Sequence, residues 1–254
     1  MLLLSFCGTI SEKDDETMKY LCESYTDKGG RENNEDSLLV FGSPNGILLV
    51  VADGLGGHEC GEVASGIAVD TLREEFAREP FDPVSAIKLA NSRILQRQAE
   101  TGKEMKTTVC AAWINGGVQL CHVGDSRIYA LRAGDIVYQS VDHSASQMAV
   151  TVGEITPAEI RNHPDRNKLV RALGVGEEVK VDSVCLADDG YDALLLCTDG
   201  FWEYVLEDEM VSSLASADSP ETWLSAMRAL LPARVPEGND NNTAIVLMRD
   251  GDMR

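Results

Sequence analysis

Apolar runs joined by very short turns restrict this chain to a small set of folds. Residues 38–41 and 47–52 flank a turn of Gly, Ser, Pro and Asn, and the same arrangement recurs over residues 109–123 and 128–139. Strands linked this tightly pair as antiparallel hairpins, because a parallel pair needs a crossover of about a dozen residues or more. The sequence therefore predicts antiparallel sheets.

Three longer segments place apolar residues on one face at helical spacing. Residues 61–78 form the first, and Asp82-Pro83 and Ser219-Pro220 begin the other two, each with a capping residue before a proline. Thr156-Pro157-Ala158-Glu159 has the form of a capping box before a short helix. With the hairpins, these segments predict an α+β fold of antiparallel sheets with helices outside. A Rossmann or P-loop fold is disfavoured, because the glycines from Gly54 onward complete neither GxGxxG nor GK[ST].

The charge balance disfavours two classes of partner. Lysine and arginine total 22 against 42 aspartates and glutamates, which gives a net charge of −20. Such a surface repels a nucleic-acid backbone and an anionic membrane. Because 44% of the residues are hydrophobic, the chain can bury a core, and its acidity does not indicate disorder.

The organisation of the chain favours one domain in a reducing compartment. No linker, low-complexity run or repeat divides residues 19–254, and residues 1–18 are a lead, either disordered or a start-site artefact. Seven cysteines without a CxxC pair indicate free thiols, and no apolar stretch reaches the roughly 18 residues of a membrane span. We expect a cytoplasmic monomer.

Carboxylates follow or precede the apolar strands at four separate places. Asp53, Asp125 and Asp199 end predicted strands beside glycine, and Asp240 lies just before the strand that begins near Thr243. Any one of them alone is more simply an ordinary Asp-Gly turn. If the four converge, their repulsion demands divalent cations, and oxygen-only ligands favour Mg²⁺ or Mn²⁺ over Zn²⁺.

A second group of polar residues lies immediately before the strand at residues 38–41. Arg31 carries a planar guanidinium that suits bidentate capture of a phosphate, and Glu35 and Asp36 are placed to orient metal-bound water. The alternative is a solvated polar turn with a surface ion pair. The local sequence does not distinguish the phosphate-binding site from the solvated turn.

Five ordered motifs between about residues 20 and 248 resemble the metal-dependent protein phosphatases of the phosphatase 2C type, the PPM family, in their bacterial form. The motifs are Arg31-x-x-Asn34-Glu35-Asp36, Asp53-Gly54-Leu55-Gly56-Gly57-His58 with Gly61-Glu62-Val63-Ala64-Ser65, Gly124-Asp125-Ser126-Arg127, Thr198-Asp199-Gly200 and Asp240-Asn241-x-Thr243. Residues 141–175 also resemble the flap-bearing segment of bacterial members.

The resemblance implies an α-β-β-α sandwich with a Mn²⁺ or Mg²⁺ site of two ions and a possible third. By motif, Asp53 would bridge the first two ions, the Gly54 carbonyl would bind one, and Asp199 and Asp240 would complete the other. Asp125 would help to hold the third. Arg31 would hold the substrate phosphate, while Glu35 and Asp36 would act mainly through water.

The implied activity is hydrolysis of phosphoserine and phosphothreonine in proteins by a metal-activated water, on substrates of a serine/threonine kinase. The alternative is a regulatory pseudophosphatase that binds phosphoproteins, whose mark would be the loss of a ligand aspartate, and none is lost. The sequence does not indicate a cysteine nucleophile in a Cys-x5-Arg phosphate loop.

Three positions depart from the family pattern. Leu55 stands where animal members carry a histidine proposed as general acid, and leucine cannot donate a proton. Lys106-Thr107-Thr108 replaces Gly-Thr-Thr, and Asp240 is assigned as a ligand by its spacing to Thr243. We favour local hydrogen bonding over acid catalysis for His58, and structural roles for His122, His143 and His163.

Overall fold

The computed structural model describes residues 19–55 and 60–250. The predicted lead at residues 1–18 and His58 lie outside the described residues. Among the described helices, none is both long and apolar enough to cross a membrane.

Two antiparallel sheets form the centre of the described chain. The first has the strand order β1-β11-β10-β7-β8 and the second has the order β2-β3-β5-β6-β9, with β4 paired to β3. The strands are β1 Lys19–Asp27, β2 Asp36–Ser43, β3 Gly46–Leu55, β4 Lys106–Thr107, β5 Val109–Ile114, β6 Gly117–Val123, β7 Arg127–Arg132, β8 Asp135–Gln139, β9 Asp182–Ala187, β10 Ala193–Cys197 and β11 Asn242–Asp250. The three predicted hairpins are confirmed as β2–β3, β5–β6 and β7–β8.

Helices cover the outer face of each sheet. They are α1 Gly61–Phe76, α2 Pro83–Thr101, α3 Ala145–Thr151, α4 Asp199–Trp202, α5 Glu207–Ala215 and α6 Pro220–Arg228. The predicted caps are present, since Asp82 accepts hydrogen bonds from Val84 and Ser85 and Ser219 accepts one from Thr222. The capping box at Thr156 opens a 3₁₀ helix, Pro157–Asn162, rather than an α-helix.

The packing of β3 explains why its sequence is a continuous apolar run. Ile47, Leu49 and Val51 pack in the cluster between the two sheets, whereas Leu48 and Val50 pack under α1 and α2. A third cluster lies between the other sheet and α4 to α6. A strand covered on both faces is apolar throughout, and this arrangement confirms the predicted four-layer α-β-β-α sandwich.

Candidate metal centre

The acidic turns meet in one open groove at one end of the sandwich. Its volume is about 790 Å³. The lining residues are Arg31, Glu32, Asn33, Glu35, Asp53, Gly54, Leu55, Lys103, Asp125, Asn167, Leu169, Asp199, Asp240 and Asn241. Seven of the eight residues that the sequence singled out are in this set. The eighth, Asp36, is buried and pairs with Asp53 across β2 and β3.

A pair of threonines holds Asp53 in place. The Asp53 amide donates to Thr108 Oγ1 (2.9 Å), and the Asp53 carbonyl accepts from Thr108 N (2.9 Å) and Thr107 Oγ1 (2.8 Å). Thr108 Oγ1 also bonds Ser126 Oγ at 2.7 Å, beside Asp125. The threonines therefore connect two of the acidic strand ends, while Lys106 pairs with Leu55 in the β3–β4 ladder.

The gathered carboxylates are electrostatically strained in the absence of cations. Burial, then the charges of Asp199 and its neighbours, raises the pKa of Asp53 and of Asp125 well above its usual value. Burial raises the pKa of Asp199 to about 7, with further increases from Glu203 and Asp240. Burial also raises the pKa of Asp36 to about 7, against hydrogen bonds from Thr243 and Thr198 that lower it.

The donor set fits hard divalent cations. The described lining offers carboxylate, carbonyl and amide oxygens and contains neither histidine nor cysteine. Asp36 Oδ1 is buried without a hydrogen-bond partner, while its other oxygen accepts from Thr198 Oγ1 at 3.0 Å. Cations, or water held by them, would satisfy both the excess charge and this unpartnered oxygen.

The loop that carries Arg31 is fastened to the opposite end of the chain. Buried Asn241 donates to the carbonyls of Lys28 and Asn33, both at 2.9 Å, and its Oδ1 accepts from Glu35 N at 2.8 Å. Arg31 itself donates to Asp240 Oδ2 at 2.8 Å. The sequence alone shows Asn241 only as part of a motif, and its anchoring role emerges from contacts across about two hundred residues.

Glu35 lies at the N-terminus of α1. Its carboxylate accepts a hydrogen bond from the Gly61 amide, and Ser65 Oγ donates to the Glu35 carbonyl at 2.6 Å. Burial, followed by the charges of Glu62 and Asp240, raises the pKa of Glu35. This placement fixes the Glu35 backbone next to Gly54, whose amide donates to the Glu35 carbonyl at 3.2 Å.

Arg127 organises the side of the groove that carries Asp125. Its guanidinium forms a buried bidentate pair with Asp142 (2.9 and 2.7 Å) and stacks 3.5 Å from the centroid of Trp202. Trp202 Nε1 donates to the Asp125 carbonyl at 2.9 Å. Only the family motif in the sequence pointed to Arg127, because the partners of this arginine come from other segments.

A separate cluster of His122, His143 and Asp182 lies beside this network, with three possible ligand atoms within 4.8 Å of one another. The Arg171 guanidinium already lies 2.7 Å from His143 Nε2 and 2.9 Å from Asp182 Oδ1, where a cation would sit. His143 Nδ1 accepts from the Gly124 amide at 3.0 Å. Burial, with the charges of His122 and Arg171, lowers the pKa of His143 to about 4. The cluster is a neutral-histidine support for the Gly124 turn.

Comparisons with known proteins agree with this architecture. Residues 28–238 match the family model described as protein phosphatase 2C. The chain is 34% identical over 243 residues to the serine/threonine phosphatase stp of Listeria welshimeri, covering 90% of this chain and 95% of the relative.

Solved structures give the same result. The serine/threonine phosphatase Stp1 from Staphylococcus aureus superposes with a TM-score of 0.82 at 31% identity, covering 95% of this chain and 97% of the other. The catalytic domain of PstP, solved in complex with two manganese ions, gives 0.75 at 30% identity and covers 92% and 99%.

The fold and these matches define a protein phosphatase with a metal-dependent chemistry. The chain belongs to the protein phosphatase 2C family. The expectation of a phosphatase is thereby confirmed, and nothing in the described chain favours the alternative of a pseudophosphatase, since every predicted ligand aspartate is present and lies at or beside the groove.

Proposed function

We propose that this serine/threonine phosphatase hydrolyses phosphoserine and phosphothreonine in proteins with water activated by two divalent cations, Mn²⁺ or Mg²⁺. The observation that carries the proposal is the convergence of Asp53, Asp125, Asp199 and Asp240 in one groove, with the pKa of the first three raised by burial and mutual repulsion. Such clustering costs stability unless cations compensate it.

The ligands are assigned by position. Asp53, the Gly54 carbonyl, Asp199 and Asp240 would hold the two ions, and Asp125 would help to hold a third. The cations, when bound, lower the pKa of a water molecule and offset phosphoryl charge. The Gly54 position has no room for a side chain, because a Cβ there would collide with the carbonyls of Gly61 and Glu35.

Arg31 is assigned to the substrate phosphate. In the structure it pairs with Asp240, and both side chains are substantially exposed, so the pair is weakly held. With Asp240 holding a cation, the Arg31 guanidinium would be available to form a bidentate pair with the phosphate. Glu35 lies at the N-terminus of α1, Asp36 pairs with Asp53 in the β2–β3 ladder, and both would orient water.

Protonation of the leaving alkoxide falls to water. Leu55 lines the groove at the position of the animal histidine and has no proton to give. The proton would come from solvent, which the open groove admits, or from metal-bound water.

We further propose one catalytic domain over residues 19–254, with residues 141–175 as a flap that tunes substrate choice. Five of the eight large hydrophobic side chains exposed in the described chain lie in that segment: Val141, Met148, Val152, Val170 and Val175. The substrates are phosphoproteins made by a serine/threonine kinase. We also propose that the protein is a monomer and that it is cytoplasmic, and the free thiols of the described cysteines support the second of these.

The test measures hydrolysis of p-nitrophenyl phosphate and of a phosphothreonine peptide with EDTA, Mn²⁺ or Mg²⁺. We expect activity only with metal, and a loss of at least about 100-fold in kcat for Asp53→Asn and Asp199→Asn. Asp208→Asn, an exposed acid in α5 outside the groove, is the matched control and should retain full activity. Activity that survives chelation, or survives both groove substitutions, contradicts the metal assignment.

Arg31→Ala tests the contribution of Arg31 to substrate binding. We expect KM for the phosphopeptide to rise by about tenfold, as for the loss of one charge-assisted bidentate contact, with a smaller change in kcat. An unchanged dependence of rate on substrate concentration removes Arg31 from the site.

A further inference from the structure

The groove has a second cation that the assigned chemistry does not use. Two of its described lining residues are basic, Arg31 and Lys103, against six acids. Arg31 pairs with Asp240, whereas the Lys103 ammonium makes no ion pair with any described residue. An unpaired cation that lines an acidic, open groove attracts an anionic group of whatever enters.

The loop that carries Lys103 is held firmly between α2 and the segment 141–175. Gly102 ends α2 in the left-handed region at φ 68°. Gln98 Nε2 then donates both to the Met105 carbonyl (2.6 Å) and to the Gly174 carbonyl (2.8 Å). Beyond the loop, β4 joins β3 through the Leu55 and Lys106 pair. The backbone at Lys103 is therefore held in place, which limits the positions that its ammonium group can take at the groove.

Lys103 is distinct from its neighbour Lys106. Lys106 Nζ lies 3.6 Å from Glu104 and does not line the groove. The two lysines are three residues apart and carry the same charge, but only Lys103 lines the groove, whereas Lys106 begins β4. Lys106 is thus a matched control.

We propose that Lys103 is a specificity-determining residue that binds a second anionic group of the substrate, on a residue flanking the phosphorylated one. The inference rests on the proposed function, in which Arg31 and the cations serve the transferred phosphoryl group. The second anion is a carboxylate or another phosphoryl group. Because the chain carries a net charge of −20, an acidic flank is repelled unless a local cation offsets the repulsion.

The experiment compares kcat/KM for three phosphothreonine peptides of equal length, in saturating Mn²⁺. One has neutral flanks, one has flanking glutamates, and one has a non-hydrolysable phosphonate analogue of phosphoserine as its flank. For Lys103→Gln we expect about a fivefold loss on an anionic peptide, and less than twofold on the neutral peptide and on p-nitrophenyl phosphate. The anionic peptide whose kcat/KM falls shows whether Lys103 binds a carboxylate or a phosphoryl group.

Lys103→Glu should deepen the loss on the anionic peptides, and Lys106→Gln should match the wild type on all substrates. Equal loss on every substrate, p-nitrophenyl phosphate included, overturns the inference, because Lys103 would then act on the transferred phosphate or on folding. Unchanged discrimination in both Lys103 variants also overturns it. Failure of the proposed function has another signature, namely a wild-type protein inactive on all substrates with Mn²⁺.

Discussion

Asp199→Asn should stabilise the metal-free protein and weaken the metal-loaded one. In the metal-free fold, burial and the charges of Glu203 and Asp240 raise the pKa of Asp199 to about 7 from 3.8. One pKa unit corresponds to about 1.4 kcal/mol, so the ionised carboxylate opposes folding by up to about 4 kcal/mol above pH 7. Because Asp199 is half-buried and faces the groove, screening by water reduces the expected gain to about 2 kcal/mol.

The pH dependence of this gain has a definite sign. A carboxyl group whose pKa is raised by folding binds more protons in the folded state, so the penalty is full above the folded pKa of about 7. The penalty disappears below the unfolded value of 3.8, where the group is protonated in both states. The advantage of the Asp199→Asn variant over the wild type should therefore shrink as the pH falls from 8 towards 4.

The assay is urea and thermal unfolding at pH 8, in EDTA and in excess Mn²⁺. In EDTA we expect Asp199→Asn to raise Tm by about 5 °C, and in Mn²⁺ we expect the wild type to be the more stable protein, because it keeps the full ligand set. Asp142→Asn is the matched control. That buried carboxylate is paired with Arg127, so its neutralisation should destabilise the protein by about 3 kcal/mol with or without metal. A metal-free Asp199→Asn protein that is less stable than the wild type would show that the Asp199 charge does not oppose folding.

Two further predictions concern the support of the site. Gly54→Ala should destabilise the protein by at least about 2 kcal/mol, because its Cβ would meet the Gly61 and Glu35 carbonyls, while Gly66→Ala within α1 has open space and should stabilise by up to about 1 kcal/mol. Urea midpoints of the two variants check this, and equal effects contradict it. His143 should contribute a loss of up to about 3 kcal/mol between pH 6.5 and 4, opposite in sign to the contribution of Asp199, because folding lowers the pKa of His143 to about 4 and the unfolded chain binds the proton first. The difference in free energy of unfolding between the wild type and His143→Gln isolates this contribution in equilibrium unfolding, and a difference that does not change with pH contradicts it.

Much of the fold follows from local sequence. The β2–β3 hairpin lies where a short turn joins two apolar runs, and α2 begins where Asp82 precedes Pro83. These signals act over a few residues, so they can be read without knowing the rest of the chain. Local signals fix the ends of helices less well. The first helix ends at Phe76, two residues before its predicted end at 78, whereas the capping box at Thr156 does precede a short helix, of the 3₁₀ type.

The sequence predicted the part of the candidate site that depends on local signals. A carboxylate at a strand end is visible in the sequence at Asp53, Asp125 and Asp199, and all three line the groove. Their roles as ligands stay a prediction. Local sequence does not indicate that Asn241 anchors the Arg31 loop, or that Lys103 lines the groove while Lys106 pairs with Glu104.

The strands, the helix starts and the chemistry available at each strand end follow from the amino-acid sequence, because periodicity and turn chemistry depend on near neighbours. Which of those strand ends meet depends on how the sheets pack. The Asp36–Asp53 register, the contact of Arg31 with Asp240 and the link from Trp202 to Asp125 all join distant segments. Such contacts form when two sheets pack face to face, and the resulting burial turns ordinary acidic turns into a strained cluster suited to cations.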